Sequence, residues 1–93
     1  MIRSFRDKFA KAVHENRVPK GFPASLAKAA RRKLRMLDAA DQLRDLAVPP
    51  ANRLEALKGD RAGQYSIRIN EQYRICFRWV NGAPEDVEIV DYH

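Results

Sequence analysis

At 93 residues, 45% of them hydrophobic, the chain has material for one folded domain spanning 1–93, and its lone cysteine, Cys76, excludes a disulfide framework or a Cys-based zinc site. Eighteen Lys and Arg against twelve Asp and Glu give a net charge of +6, carried unevenly, with +9 in residues 1–37 and −3 in residues 38–93. A basic half on so small a domain is the electrostatic footprint of a polyanionic partner, set against the plainer reading of a solvated helix face.

In chain order, Ile2 to Phe5 reads as a short strand, and Asp7 as the cap of a helix over Lys8 to His14. His14 has no ligand or base near it in sequence and reads as a surface residue. Pro19, Gly21 and Pro23 then break the chain. Residues 24–46 carry the strongest helical pattern, with Leu26, Ala30, Leu34 and Leu37 at steps of four, four and three. Ser25 is the expected N-cap and Pro49-Pro50 the stop. The cluster Arg31-Arg32-Lys33-Arg35 falls largely on the outer face of this helix, toward RNA, an acidic protein or water.

Beyond the two prolines the apolar period changes to two. Arg53–Leu57, Gln64–Ile69, Tyr73–Val80 and Asp86–Tyr92 read as strands, with a glycine-rich turn over 58–63. The order is β-α-α-β-β-β-β, an α+β fold with two N-terminal helices packed on an antiparallel sheet. Cys76, between Ile75 and Phe77, reads as a small packing residue. No run approaches the ~18 apolar residues of a membrane span. The opening Met1–Arg6 lacks the apolar stretch of a secretory leader. A cytoplasmic protein with no membrane partner is expected. Neither a nucleotide-binding glycine loop nor metal-ligand spacing occurs, so no cofactor and no metal are expected.

Matching apolar faces sets the register, because a slip of one residue turns a strand inside out. Pairing Ile69 with Tyr73 makes Asn70-Glu71-Gln72 a three-residue loop and puts Arg68 directly opposite Arg74. Like charges in that position cost stability, so the pair reads as an anion site. Setting Val87 against Trp79 and Ile89 against Phe77 pairs Arg78 with Glu88. That register brings Tyr92 beside Arg74, on a polar face that also carries Ser66, and His93 near Tyr73, where strict alternation would turn it and Asp91 toward the helices.

The segments Asn52–Arg61, Tyr65-Ser66-Ile67, Tyr73-Arg74-Ile75 and the terminal Val90-Asp91-Tyr92-His93 resemble HigB toxins of the RelE/ParE superfamily, and the opening Met1–Phe5 fits as well. The resemblance implies a RelE-like microbial RNase fold. It implies a toxin of a type II toxin–antitoxin system that cuts translated mRNA on the ribosome. It also implies a HigA-type helix-turn-helix antitoxin, and operator DNA reached only through the antitoxin complex. The family's functional positions matched here are Lys58, Arg74, Asp91, Tyr92 and His93. Glu55 is a departure, standing where some members place a catalytic histidine. Arg53, Arg61 and Arg68 are candidate RNA-binding cations around them. The alternative within the superfamily is a ParE-like inhibitor of DNA gyrase without nuclease activity.

The residue types suit metal-free RNA cleavage, in which the 2′-hydroxyl attacks its own phosphate. A base must take the proton, cations must offset the phosphorane charge, and an acid must protonate the leaving 5′-oxygen. Lys58 and Arg74 suit the cationic role, Asp91 or Glu55 the base, and His93 the acid. Tyr92 suits stacking on an exposed base.

Overall fold

Asp7 opens the first helix, α1 (Lys8–His14), as the sequence indicates: its Oδ1 accepts from Phe9 N at 2.8 Å. These elements come from a computed structural model, which describes residues 1–92. The second helix, α2 (Ala24–Ala39), buries Leu26, Ala30, Leu34 and Leu37. Its N-cap is Pro23 rather than Ser25, and the first turn closes through Ala27 N on the Pro23 carbonyl at 3.0 Å. The helix stops at Ala39, short of the expected residue 46. The cause is Asp45, whose Oδ2 accepts from Asp41 N at 3.1 Å and Gln42 N at 2.9 Å. Those two amides are thereby withdrawn from the α-helical ladder. Leu43–Ala47 continues instead as a 3-10 turn, which still buries Leu46.

A four-stranded antiparallel sheet follows, in the order β1 (Glu55–Ala56), β2 (Tyr65–Arg68), β3 (Tyr73–Val80) and β4 (Ala83–Asp91). Strand β1 is shorter than the expected Arg53–Leu57 because Arg53 is left-handed, with φ 46°. The expected N-terminal strand is a single parallel bridge, Phe5 to Val87, supported by Arg3 N to Pro84 O at 2.9 Å and Val87 N to Ser4 O at 3.1 Å. Val13 of α1, Leu34 and Leu37 of α2, and Ile67, Ile75, Phe77 and Val87 of the sheet form one apolar cluster. His14 is half-buried rather than a surface residue, with its ring 5.6 Å from that of Phe5 and its Nε2 3.9 Å from Asp38.

Arg68 faces Arg74 across β2 and β3, as the matched apolar faces require. Between β3 and β4 the register departs from expectation by two residues beyond a bulge, Ile89 facing Ile75 rather than Phe77 and Glu88 facing Cys76, and by three on the hairpin side, Arg78 facing Glu85 rather than Glu88 and Trp79 facing Pro84 rather than Val87. Beyond the bulge the slip is even and leaves each side chain on its own face, so alternation alone does not separate the two pairings there. The hairpin is decided by Asn81-Gly82, both at positive φ, 48° and 79°, between the paired residues Val80 and Ala83. Asp86, at φ 53°, is then accommodated as a bulge beside Val87, both standing against Phe77. Arg78 finds Asp86 at 3.6 Å, while Glu88 pairs with Arg61 at 3.2 Å.

Lys33 departs from its cluster. Arg32 and Arg35 are exposed, whereas Lys33 is buried. It stands three residues after Ala30 and four before Leu37, on the stripe that packs inward. Burial pulls its ammonium below the usual lysine range, with repulsion from Arg32 adding to the effect. The unfolded chain therefore holds this proton more tightly, and stability from this group rises with pH between the lowered value and 10.5. Urea unfolding from about pH 7 to about pH 10 is expected to show wild type gaining on Lys33→Met as pH climbs. A flat or falling difference contradicts a depressed Lys33.

Candidate functional site

The face of the sheet turned away from the helices is polar and ordered in rows. Glu55, Ser66, Cys76 and Glu88 face one another in sequence across the four strands. The adjacent row contains Arg68, Arg74 and Val90. Ser66 and Cys76 are fully buried beneath the longer side chains of this face. Burial pushes the Cys76 thiol up, keeping it protonated, which suits a packing role.

The facing arginines relieve their repulsion by parting. Arg68 Nε donates to the Asn70 carbonyl at 3.0 Å. Arg74 turns the other way: its Nε donates to Ser66 Oγ at 2.8 Å and its Nη2 to the Arg53 carbonyl at 2.6 Å. Bonds from two nitrogens of one planar group to acceptors on different segments of the chain fix the guanidinium plane. The Arg74 Cζ lies 5.6 Å over the centre of the Tyr92 ring, within cation–π range. Tyr92 is itself held by its backbone N–H, which donates to the Gln72 carbonyl at 2.6 Å.

Two clefts meet at this tyrosine. One, of about 330 Å³, is lined by Arg53, Arg68, Asn70, Glu71, Arg74 and Tyr92. The other, of about 430 Å³, is lined by Glu55, Lys58 and Tyr92 together with Ala56 and Leu57. Lys58 reaches this position because the chain turns at once through Gly59–Arg61, with Gly59 at φ 63°.

The structure thus gathers Arg53, Glu55, Lys58, Arg68, Arg74 and Tyr92 around two adjoining clefts. Arg61 is engaged elsewhere on the same face, donating to Glu88 at 3.2 Å and Gln64 at 3.1 Å. The hydrogen bond to Glu88 holds its guanidinium still more firmly protonated. Asp91 closes β4 opposite Tyr73, and its Oδ2 accepts from Gln72 Nε2 at 3.1 Å. His93 lies outside the described residues. Sequence reasoning missed Asn70 and Glu71 as cleft residues, although both lie in the loop that the Ile69–Tyr73 pairing defines. It also missed the Arg53 carbonyl, for which side-chain patterns carry no signal. Among the described residues, no group of three His, Cys, Asp or Glu side chains is placed to hold a metal ion, and no helix is long and apolar enough to cross a membrane.

A family model described as the RelE-like toxin of type II toxin-antitoxin system HigB matches residues 3–93. The chain belongs to the HigB-like toxin family. It is 43% identical to Toxin HigB-1 of Vibrio cholerae serotype O1, over 89% of this chain and 88% of that one. It is 34% identical to Endoribonuclease HigB of Proteus vulgaris over the full length of both. A solved structure of the YoeB-YefM complex from Staphylococcus aureus contains a chain similar in fold. Its TM-score is 0.62 at 19% identity, covering 100% of this chain and 95% of that one.

Ser66 is the buried acceptor that holds Arg74 Nε in this toxin. Its replacement by Ala leaves that donor without its partner and is expected to cost about 1 kcal/mol in urea unfolding. A loss below about 0.3 kcal/mol contradicts the view that Ser66 anchors the guanidinium.

Proposed function

We propose that this toxin is an endoribonuclease that cuts translated mRNA on the ribosome, with Arg74 and Lys58 stabilising the reacting phosphate. The observation that carries this reading is the meeting of the two clefts at Tyr92. A guanidinium-rich cleft adjoins one that holds a carboxylate and an ammonium, with an aromatic wall between them. The phosphodiester fits the first cleft, since a fixed guanidinium binds phosphate oxygens bidentately. Lys58 adds compact positive charge as the phosphorane forms.

Glu55 is an exposed carboxylate in the Lys58 cleft and serves as the base that takes the 2′-hydroxyl proton. Asp91 is the alternative base, and His93 the acid for the 5′-oxygen. The Tyr92 ring has Arg74 near one face and remains 41% exposed, which leaves surface for an unstacked base. Arg53 and Arg68 extend the cationic lining along the backbone.

Lys28, Arg31, Arg32 and Arg35 line a separate groove of about 290 Å³ on α2, away from the clefts. In this reading they grip ribosomal RNA, and toxin and ribosome meet in the cytoplasm. A HigA-type helix-turn-helix antitoxin neutralises the toxin, and the pair reaches operator DNA through that antitoxin.

Replacing Lys58 or Arg74 with Ala is expected to lower the cutting rate roughly a hundredfold or more, the scale of one lost transition-state donor. Binding to ribosomes should persist, since the α2 groove supplies separate attraction. In cells, brief induction of wild type should create new mRNA 5′ ends inside reading frames, and these should vanish when the start codon is destroyed. Intact messages with broken DNA would instead mark a gyrase poison and overturn the assignment.

Charge reversal of Lys28, Arg32 and Arg35 to Glu tests the α2 groove. Ribosome co-sedimentation should weaken and lose much of its salt dependence, the slope falling by roughly one per lost phosphate contact. An unchanged salt series would mark the groove as a solvated face.

A further inference from the structure

Lys33 and Asn52 make a buried polar pair behind the clefts. Lys33 is 9% exposed and Asn52 fully buried, and the Lys33 Nζ donates to Asn52 Oδ1 at 2.5 Å. Asn52 Nδ2 donates in turn to the Leu46 carbonyl at 3.1 Å and lies 3.8 Å from Met36 Sδ. One side chain thus ties α2, the Leu43–Ala47 turn and the turn before β1 together. An apolar pair of similar volume would fill this space without the cost of desolvating an ammonium. The arrangement therefore contributes geometry rather than bulk stability.

The geometry it controls is that of the next residue. Arg53 follows Asn52 directly and is held at φ 46°, ψ 54°, a strained region for a residue with a side chain. That conformation aims the Arg53 carbonyl at Arg74, whose Nη2 donates to it at 2.6 Å. The link from α2 to the phosphate-binding arginine is thus continuous: Lys33, Asn52, the Arg53 backbone, Arg74.

We propose that Lys33 and Asn52 are positioning residues for RNA cleavage, acting through the Arg53 carbonyl to fix the plane of the Arg74 guanidinium. This rests on the reading of Arg74 as the phosphate-binding group. Lys33 reaches neither cleft, so its effect passes through Arg74 and falls on the chemical step rather than on ribosome affinity. Misplacement of a reacting group by an ångström costs up to about a hundredfold in rate. The expected loss is therefore roughly tenfold to a hundredfold in kcat.

The test compares Lys33→Met, which removes the donor to Asn52, with Lys33→Arg, which keeps a charged donor, in the full-length chain. Two readouts are taken: cleavage of ribosome-bound mRNA resolved into kcat and KM, and the Arg74 guanidinium Nη–Hη resonance in the isotopically labelled protein. In Lys33→Met, kcat should fall with KM unchanged, and the Arg74 resonance should move toward that of a solvated arginine. Lys33→Arg should restore both. An Arg74 resonance unmoved by Lys33→Met, or a kcat within twofold of wild type, overturns the proposal and leaves the pair as a structural tie. The resonance decides positioning independently of catalysis. Wild type inactive on ribosome-bound mRNA defeats the ribonuclease reading alone, and the Arg74 resonance then decides the link by itself.

Discussion

The pairing of β2 with β3 forces two arginines, Arg68 and Arg74, to stand opposite each other on an antiparallel ladder. Like charges there repel, and the sheet cannot slide by one residue to separate them without exposing Ile67 and Ile75 to water. The repulsion is relieved by divergence: Arg68 bends to its own loop, and Arg74 bends across Ser66 to the Arg53 carbonyl. The polar face is organised around that second path. Ser66 is buried as the acceptor, Arg53 is held left-handed to present its carbonyl, and Tyr92 comes to lie against the guanidinium. A core requirement on one face of the sheet thereby concentrates positive charge on the other.

The remaining elements hold this face in place from behind and from the edge. The N-terminal segment runs parallel to β4, with Phe5 bridging Val87. Beside that bridge the bulge at Asp86 lets β4 keep its apolar alternation on either side of an extra residue. The ion pair between Glu88 and Arg61 anchors the 58–64 turn to the sheet, and with it the approach of Lys58 to the second cleft. The cations of α2 sit apart from both clefts. This separates attraction to a large polyanion from the groups proposed to act on one phosphodiester, and the two are open to independent substitution.

Much of this was legible in the sequence, for identifiable reasons. Helical and alternating periods mark both helices and the meander, and the Ile69–Tyr73 pairing places Arg68 against Arg74 from apolar faces alone. Where the reading departed, a local interaction outweighed the pattern. The run 24–46 keeps its apolar spacing, but the Asp45 carboxylate captures two backbone amides and ends the helix at Ala39. The β3–β4 register is degenerate to a slip of two, and only Asn81-Gly82, a strong type I′ signal, resolves it. Lys33 lies on the buried stripe by spacing, yet its charge argued for the surface, and its partner Asn52 is remote in sequence. Of the site, Lys58 came from the resemblance, and Arg74 and Tyr92 from strand pairing as well; the structure brings all three around adjoining clefts. The Arg53 carbonyl had no signal, since a backbone acceptor depends on conformation rather than side-chain identity.

In the proposed reaction this cleft drives attack of a 2′-hydroxyl on the neighbouring phosphate. The chemistry of the cut ends tests it most directly. Purified toxin acting on a ribosome programmed with one defined mRNA should leave a 2′,3′-cyclic phosphate, or the 3′-phosphate formed by its opening, on the upstream fragment. The downstream fragment should carry a 5′-hydroxyl. A 3′-hydroxyl upstream with a 5′-phosphate downstream requires attack by water rather than by the ribose, and would contradict the account.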